Sequence, residues 1–364
     1  LHEQWSTLYF RPMIRRDRNH NFNKEMMEDQ VPASMDKHLD VLQINGNGGL
    51  LLGASSLTGR YWLGSLWYYT NPERAPDVDK CTAGVQLEAG VRDASWVDTQ
   101  RVLVGLDTGG AALWELQDEN KLFGMISSAN EHDNMVSSVS VNSDASQFVT
   151  ASYDHTIKVW NPDLTSLYTY KAHSDIVWDV QCHPTEPALF LSCSQDGKTV
   201  LWDSRDSKPA TLIGKCTPGF SPTCVRWQPS ARNMYAVGDE GGNICLQDLR
   251  AVVEKTVTYQ PHNRFVTRLA FSPERPNLLA SVSEDCGTVV ATTNASSADV
   301  LYKSTGHTDF VCGLAWQTGD RLLTSSWDGR IIQHVIGTSG VNGGPEVKVN
   351  GDIEVDEQPG SNPS

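Results

Sequence analysis

The stretch His173–Asp203, HSDIVWDVQCHPTEPALFLSCSQDGKTVLWD, decides the fold. It holds three short runs rich in apolar and β-branched residues, at 176–182, 188–194 and 199–202, and a fourth follows at 210–213. Turn-forming Pro, Asp and Gly residues separate the runs. Short runs of this kind between turn residues are typical of β-strands joined by tight hairpins. The stretch therefore predicts an antiparallel sheet of four strands.

The polar residues of this stretch recur along the chain at fixed spacing. Ser or Thr stands four residues before an Asp, a His stands 21 to 23 residues before the same Asp, and Val follows that His by four residues. The four sets are His132, Thr150, Asp154 and Trp160; His173, Ser192, Asp196 and Trp202; His262, Ser281 and Asp285; and His307, Thr324 and Asp328. In the last two sets Ala291 and His334 stand where the first two have Trp.

The spacing of the four Asp residues gives the repeat number. They lie 42, 89 and 43 residues apart, so the long interval hides one degenerate copy, with Gly241 at the Asp position and Gln247 at the Trp position. Two further degenerate copies precede the first set, at 102–114 and 38–69. Seven repeats with a period of about 40–45 residues are typical of four-stranded propeller blades. The sequence predicts an all-β, seven-bladed β-propeller with four antiparallel strands per blade.

The strand count predicts how the ring closes. We count 27 strand-like runs between His38 and Ile336, whereas seven blades need 28. We expect the segment before His38 to supply the missing outer strand, because such closure removes an open sheet edge. The tail at 347–355 is the alternative source. The predicted organisation is a leader at 1–26, disordered or foreign to the natural protein, a propeller at 27–336, and a disordered acidic tail at 337–364 rich in Gly and Pro.

Composition limits the classes of ligand. The net charge of −15 argues against a nucleic-acid backbone as a direct ligand, which requires a basic face, and favours a basic protein partner. The eight Cys residues include no CxxC pair and match no zinc spacing, so we expect no metal, no cofactor and a reducing compartment. No run approaches the roughly 18 apolar residues of a membrane span.

The repeated Ser/His/Asp sets have a structural interpretation. A nucleophilic triad occurs once and beside an oxyanion hole, whereas these sets occur four times at constant spacing. We predict a buried hydrogen-bond chain from the Trp indole to the hydroxyl, from the hydroxyl to His, and from His to Asp. These residues resemble the signature of WD-repeat proteins, whose dipeptide stands once as Trp202-Asp203. The chain is therefore expected to bind proteins and not to be an enzyme.

Two features predict where a partner binds. The residues just before the four repeated valines are apolar and are expected to form a contact ring on one face: Met135, Ile176, Phe265 and Phe310. Burial as packing residues is the alternative. In the first blade, an enlarged turn over Ser56–Gly64 places Leu57, Arg60, Tyr61, Trp62 and Leu63 between two strands. Trp, Tyr and Arg are enriched at interface hot spots, so we predict a partner anchor there, with a folded-back packing loop as the alternative.

The stretch Leu50–Trp67, LLLGASSLTGRYWLGSLW, resembles the methylosome protein 50 family of WD-repeat subunits. The resemblance continues at 83–86, at 190–194 and at 280–286 and covers most of residues 35–336. It implies a non-catalytic subunit that binds a type II enzyme, protein arginine methyltransferase 5, in a hetero-octamer of four and four. It also implies that Trp62 inserts into the enzyme and that the chain helps to present Arg-rich substrates, namely histones and spliceosomal Sm proteins.

The same resemblance implies symmetric dimethylation as the supported reaction, with roles in transcription and small-ribonucleoprotein assembly in the cytoplasm and nucleus. Two alternatives remain at this point. One is a generic WD-repeat scaffold or a substrate receptor of another complex, such as a ubiquitin ligase. The other is an enzyme in its own right, although the sequence contains no unique polar cluster, cofactor loop or metal set to support it.

Overall fold

The computed structural model describes residues 32, 34–58, 61–171, 173–206, 208–213, 217–250, 256–294, 297–318, 320–337 and 347–350. They form seven four-stranded antiparallel sheets, each built from four consecutive strands. The seven-bladed propeller expected from the repeat spacing is confirmed. The predicted leader at 1–26, Arg60 and most of the predicted tail lie outside the described residues.

The first four blades contain sixteen strands and two short 3-10 helices, Pro72–Arg74 and Val78–Lys80, between the third and fourth strands. The strands are His38–Ile44 (β1), Leu50–Thr58 (β2), Tyr61–Tyr69 (β3), Ala83–Leu87 (β4), Val91–Trp96 (β5), Arg101–Leu106 (β6), Gly110–Gln117 (β7), Leu122–Asn130 (β8), Val136–Val141 (β9), Phe148–Ser152 (β10), Ile157–Trp160 (β11), Ser166–Tyr170 (β12), Val177–Cys182 (β13), Leu189–Ser194 (β14), Thr199–Asp203 (β15) and Pro209–Leu212 (β16).

The last three blades contain twelve strands. They are Pro222–Trp227 (β17), Met234–Asp239 (β18), Ile244–Asp248 (β19), Val257–Tyr259 (β20), Val266–Phe271 (β21), Leu278–Ser283 (β22), Thr288–Thr293 (β23), Ala298–Ser304 (β24), Val311–Gln317 (β25), Arg321–Ser326 (β26), Ile331–Val335 (β27) and Val347–Asn350 (β28). In every blade the first strand lines the central channel and the fourth is the outer edge, so each sheet runs radially outward.

The core lies between neighbouring blades. The second strands of blades three and six, Phe148–Ser152 and Leu278–Ser283, are covered on both faces, and all of their residues are buried. Close packing requires glycine where a strand of the next blade crosses: a Cβ on Gly105 would lie 2.7 Å from Val136 Cγ1. Burial of about 25 cal/mol per Å² of apolar surface at every such interface holds the ring together.

The expected source of the closing strand is wrong. The outer strand of the seventh blade is β28, from the tail, and it pairs with β27 through Ile331–Asn350 and His334–Val347. The four residues 347–350 of the predicted disordered tail are thus a strand. The sequence Val-Lys-Val suits an outer strand because β-branched residues favour extended backbone, and the segment needs only to fold back from β27. The sheet edge that was expected to pair with the N-terminal segment therefore pairs with β28 instead.

The ring closes through side chains and not through a strand shared by both chain ends. Leu39 and Leu42 of β1 share one apolar cluster with Ala315, Leu323 and Ile331 of the seventh blade. Two hydrogen bonds cross the same junction, from Ser325 Oγ to the Leu39 carbonyl at 3.3 Å and from Trp327 Nε1 to Asp40 Oδ1 at 2.8 Å. This junction has the same apolar packing as the others.

Candidate functional site

The structure brings together the members of all four predicted polar sets. In the third blade, His132 Nδ1 lies 2.8 Å from Asp154 Oδ2, and its Nε2 lies 2.8 Å from Thr150 Oγ1. Trp160 Nε1 donates to the same hydroxyl at 2.9 Å. The other three sets repeat the contacts of the histidine at 2.8–3.1 Å: His173 with Asp196 and Ser192, His262 with Asp285 and Ser281, His307 with Asp328 and Thr324.

These sets tie two loops to one another. In each of the four blades, the Asp carboxylate also accepts the backbone N–H of the residue after the His, as Asp196 does from Ser174 at 3.1 Å. Burial raises the pKa of the four carboxyls, but hydrogen bonds from His and from backbone N–H groups outweigh it, so each pKa lies below its usual range. The Asp residues are therefore held ionised. The hydroxyl of each set is almost fully buried, which leaves no room for a substrate.

The seventh blade replaces the Trp of the complete sets by a histidine. His334 Nε2 lies 3.0 Å from Thr324 Oγ1, and its Nδ1 lies 2.7 Å from the Tyr302 hydroxyl. These contacts fit a neutral ring that donates from Nε2 and accepts at Nδ1. Burial lowers the pKa of His334 to about 3, so the ring stays neutral in the folded chain. His334 thus donates a hydrogen bond to the Thr324 hydroxyl, as the Trp indole does to the hydroxyl of its set in blades three and four.

His334 predicts an acid dependence of stability. The unfolded chain binds a proton at this residue near pH 6.5, whereas the folded chain binds it only near pH 3, so stability is complete above pH 6.5 and is lost as the pH falls. We expect the free energy of unfolding to drop by about 2 kcal/mol from this residue between pH 7.5 and pH 5. Urea unfolding at both pH values measures it. His334→Gln should show a drop smaller by that amount; an equal drop in both proteins contradicts the assignment.

Blade one contains a related hydrogen-bond chain that the repeat pattern did not predict. Ala54 stands at the hydroxyl position, and Trp67 Nε1 instead donates to Ser65 Oγ at 2.8 Å. Ser65 in turn donates to Asp36 Oδ2 at 2.7 Å. The signal in the sequence was the Ser65-x-Trp67 spacing, which places both side chains on one face of β3. The buried Trp67 indole N–H therefore has a hydrogen-bond partner, although blade one lacks the repeat signature.

Blade two leaves its Trp unsatisfied. Val104 in β6 stands ten residues before Trp114, where Thr150 and Ser192 precede their tryptophans. Trp114 Nε1 is buried and has no hydrogen-bond partner among the described residues. An unpaired buried N–H costs about 1–3 kcal/mol. The blade thus lacks the hydroxyl that its Trp needs.

Val104→Thr is expected to supply that hydroxyl and to raise the free energy of unfolding by about 1 kcal/mol. Thr is nearly isosteric with Val, and its hydroxyl lies at the position that accepts the indole N–H in blades three and four. Chemical denaturation measures the change. The control is Val200→Thr, at a buried valine in an apolar cluster, which should lower stability by about 1–3 kcal/mol. Equal losses in both variants would refute the assignment.

The predicted anchor turn is a longer hairpin than expected. An irregular connection over Ser56–Gly64 was predicted, but β2 and β3 stay paired to the end, through Leu57–Trp62 and Thr58–Tyr61. Pairing prevails because it satisfies the backbone N–H and C=O groups that an irregular turn would leave to water. The two strands thus remain paired within the predicted anchor turn. The side chains of Arg60 and Tyr61 lie outside the described residues.

The described side chains of this hairpin differ in exposure. Leu57 is 53 % exposed, whereas Trp62 and Leu63 are half-buried. The Trp62 ring lies 5.6 Å from the His38 ring and 6.4 Å from the Trp327 ring, between centroids. His38 stacks on Trp327 at 4.6 Å. Trp62 therefore belongs to an aromatic stack at the junction between blades one and seven, and it keeps a partly exposed face.

The four residues of the predicted contact ring are all half-buried. The carbonyl of each one accepts the backbone N–H of the residue before the Asp of its blade, for example Phe310 from Trp327 at 3.0 Å. Phe265 and Phe310 line a cavity at the mouth of the central channel, and Met135 and Ile176 do not. The positions are thus equivalent in the backbone, but only two of the side chains border the cavity.

Buried ion pairs close the channel below this mouth. Arg268 of blade six donates to Asp93 of blade two at 2.7 Å, across the channel, and Arg226 pairs with Asp179. Ser138 Oγ donates at 3.0 Å to Asp93 and lies 2.8 Å from Asp179. Burial lowers the pKa of the Arg268 guanidinium, but the carboxylates of Asp93 and Asp179 raise it further, so it stays charged. These groups separate the upper cavity from a lower one of about 380 Å³.

The described residues suggest neither a metal centre nor a reactive thiol. They include no group of three or more His, Cys, Asp or Glu side chains placed to bind an ion. Seven cysteines are described, all unpaired, and burial raises the pKa of Cys182 and Cys224 to about 12. None of the described helices is long and apolar enough to cross a membrane. The hairpin around Trp62 and the channel mouth are the candidate site.

Comparisons with known proteins fit this architecture. The profile of the family described as WD domain, G-beta repeat matches residues 125–161, 164–203, 253–290 and 299–333. The methylosome protein WDR77 of Xenopus laevis is 39% identical over 313 residues, which are 85% of this chain and 93% of that protein. The transcriptional corepressor LEUNIG_HOMOLOG of Arabidopsis thaliana is 26% identical over 179 residues, 49% of this chain and 21% of that protein.

Among solved structures, a chain in the crystal structure of a mitotic checkpoint complex superposes with a TM-score of 0.65 at 16% identity. The match covers 90% of this chain and 97% of that one. At this identity the likeness concerns the fold alone.

Proposed function

The chain belongs to the family of the methylosome WD-repeat protein WDR77, and from that premise we propose that it is a non-catalytic methylosome subunit. In this proposal it binds a type II enzyme, protein arginine methyltransferase 5, and supports the symmetric dimethylation of arginine. The observation that carries the proposal is the 39% identity over 93% of the Xenopus laevis protein, in a chain whose first-blade hairpin presents Trp62.

The hairpin supports the partner-binding part of the proposal. The nine-residue strands β2 and β3 pair along their whole length, which makes a stiff support for the side chains at its tip. A stiff support lowers the entropy lost on binding. Leu57 is exposed and Trp62 keeps a partly exposed face, and a large aromatic side chain of this kind is a frequent interface hot spot. We infer that Leu57, Trp62 and Leu63 contact the methyltransferase, with Arg60 and Tyr61 beside them.

The polar sets support the non-catalytic part. Each described His of the four sets donates to an Asp and contacts a hydroxyl that is almost fully buried beneath the loop. Attack on a substrate needs an accessible nucleophile beside an oxyanion hole. The repetition of one geometry in four blades is what a structural role requires. We therefore assign these sets to stability and the methyl transfer to the partner.

Charge supports a role in substrate presentation. The net charge of −15 favours basic partners, such as histone tails and the Gly-Arg-rich tails of spliceosomal Sm proteins. The carboxylate of Glu284 lines the channel mouth. Transcription control and small-ribonucleoprotein assembly in the cytoplasm and nucleus would follow from such substrates. The seven described cysteines are unpaired and four of them are buried, which is compatible with those reducing compartments.

A mixing experiment tests the proposal against a generic scaffold of another complex. Purified full-length chain is combined with purified type II methyltransferase and examined by native mass spectrometry. The proposal predicts a hetero-octamer of four chains and four enzymes, and no methyl transfer by the chain alone. Absence of a complex at micromolar concentrations would favour the generic scaffold, and methyl transfer by the isolated chain would contradict the non-catalytic assignment.

A further inference from the structure

The tip of the first-blade hairpin extends beyond its own sheet. The strand β1 pairs with β2 only as far as Ser55, which lies opposite His38, and β4 pairs with β3 only from Gly64 onward. Beyond these points the described pairing of β2 and β3 is only with each other. A two-stranded ribbon in water is marginally stable at best. The orientation of Trp62 on this ribbon therefore depends on support from outside the sheet.

Blade seven supports the Trp62 ring through His38. The His38 ring stacks on Trp327, with 4.6 Å between centroids and 28° between planes, and it lies 5.6 Å from the Trp62 ring. Centroid distances of about 4.5–7 Å are typical of attractive ring pairs. Trp327 is itself fixed, because its Nε1 donates to Asp40 Oδ1 at 2.8 Å and its backbone N–H donates to the Phe310 carbonyl at 3.0 Å. His38 therefore lies between a fixed ring and the ring of the anchor.

The support that His38 gives is a contact between rings. His38 Nδ1 is buried and has no hydrogen-bond partner among the described residues. No hydrogen bond at this nitrogen sets the angle of the imidazole, so the angle is set by packing against Trp62 and Trp327. A phenyl ring has faces of comparable size and would give the same support.

Blade two supports the base of the Trp62 side chain through Gly90. A Cβ placed on Gly90 would lie 3.0 Å from Trp62 Cβ and 3.1 Å from Asp107 Oδ2, closer than such atoms normally approach. Two hydrogen bonds hold Gly90 in place, from its N–H to Asp107 Oδ1 at 2.9 Å and from the Asp107 N–H to its carbonyl at 3.0 Å. The Gly90 backbone is therefore a fixed surface against which Trp62 packs.

A ring that is held before binding raises the affinity for a partner. When only a fraction of the molecules has the binding-competent arrangement, the apparent dissociation constant rises by the inverse of that fraction. A Trp side chain rotates about two bonds, so loss of its supports lets it leave the orientation that a partner receives. If the supported orientation of Trp62 falls to about a tenth of the population, binding weakens about tenfold.

We propose that His38 and Gly90 are positioning residues of the anchor, which together hold the Trp62 ring in the orientation that the partner receives. Neither residue needs to touch the partner in this role. The identity of that partner as a methyltransferase rests on the proposed function. The orientation of Trp62 in the free chain does not.

Fluorine NMR measures the support of the ring without any partner. The full chain is labelled with 5-fluorotryptophan, and the Trp62 line is the one of eleven that Trp62→Phe removes. The difference in its chemical shift between light and heavy water increases with the exposure of the ring to solvent. His38→Ala and Gly90→Ala should each raise this difference toward that of free 5-fluorotryptophan. His38→Phe, which keeps a ring, should leave it near the wild-type value.

Two control variants leave the supports intact. Gly46→Ala adds a methyl group that meets Thr99 Cγ2 at an ordinary 3.5 Å, and Tyr168→Ala removes one ring of a pair on blade three. Neither should change the Trp62 line. A wild-type solvent effect in His38→Ala would overturn the proposal, and so would a change in His38→Phe as large as that in His38→Ala. If the thermal midpoint shows that His38→Ala is unfolded, Gly90→Ala decides the question by itself.

A double-mutant cycle with the methyltransferase tests whether His38 acts through Trp62. His38→Ala and Gly90→Ala should each weaken binding about tenfold, and His38→Phe less than about threefold. In a chain that already carries Trp62→Ala, His38→Ala should change binding less than about twofold, because no ring is left to position. An equal loss with and without Trp62 would show that His38 acts by another route and would overturn the proposal.

The two proposals fail separately. If the wild-type chain binds no methyltransferase, the proposed function fails, and the fluorine measurement still decides whether His38 and Gly90 hold the ring. If Trp62→Ala weakens binding and His38→Ala and Gly90→Ala do not, the anchor stands and the positioning role is overturned.

Discussion

Trp62→Ala is expected to weaken binding of the methyltransferase about 100-fold while the propeller stays folded. Truncation of a central Trp at an interface costs about 2–4 kcal/mol, and about 2.7 kcal/mol corresponds to two powers of ten in the dissociation constant. Trp62 is half-buried against His38 and Trp327, so some of its area is already covered before the partner arrives. Its remaining face is the part that we expect the partner to bury.

Surface plasmon resonance of the immobilised methyltransferase measures this effect. The matched control is Tyr168→Ala, at an aromatic residue that is 48% exposed on the outer strand of blade three, and it should bind as the wild type does. Thermal midpoints of both variants establish that the fold is retained. A change of less than about threefold for Trp62→Ala, at an unchanged thermal midpoint, would contradict the assignment of the hairpin as the anchor.

Asp93→Ala is expected to lower the free energy of unfolding by about 3–5 kcal/mol, the cost of breaking a buried ion pair by removing one partner. Asp93 accepts from Arg268 at 2.7 Å, from Ser138 at 3.0 Å and from the backbone N–H of Val139 at 2.9 Å. Without the carboxylate, the Arg268 guanidinium is left charged and buried with a weaker set of partners. Blades two and six lose their direct link across the channel.

Equilibrium urea unfolding measures this loss. Asp203→Ala removes one partner of an exposed pair with Arg205, whose side chain is 76% exposed, and should cost at most about 1 kcal/mol. The double variant Asp93→Leu, Arg268→Met should recover much of the loss, because apolar residues replace a buried pair at little net cost. A loss below about 1 kcal/mol for Asp93→Ala would show that the link does not support the ring.

Local spacing in the sequence was sufficient to predict the blades. The interval of 21 to 23 residues between His and Asp reflects contacts within one blade, such as His173 to Asp196, so the pattern is visible in a single repeat. Alternating strands and turns then predicted 27 strands between His38 and Ile336, and the structure has 27 there. Features that depend on neighbouring residues in the chain were predictable.

Contacts between distant segments were not predictable. Asp93 and Arg268 lie 175 residues apart, and no spacing rule connects them. The choice between the N-terminal segment and the tail for the closing strand depended on which segment reaches β27, and both contain residues suited to a strand. The replacement of Trp by His334 was visible as a mismatch, but its bond to Thr324 needed the geometry of two strands.

The candidate site was predictable in part. The composition of Leu57–Leu63 marked the hairpin as unusual, but its pairing up to Thr58 and Tyr61 and the stack of Trp62 on the blade-seven junction were not indicated. The contact ring was defined by register alone, which cannot distinguish Phe265 and Phe310 at the cavity from Met135 and Ile176 outside it.

We propose that this chain supports a methyltransferase without being an enzyme itself. The direct measurement is symmetric dimethylation of a Gly-Arg-rich Sm-tail peptide by the methyltransferase, titrated with wild-type chain or with Trp62→Ala. We expect that wild-type chain raises the rate to a plateau at equimolar ratio, that Trp62→Ala requires about 100-fold more protein for the same rate, and that the chain alone gives no product. A rate that is independent of added wild-type chain would contradict it.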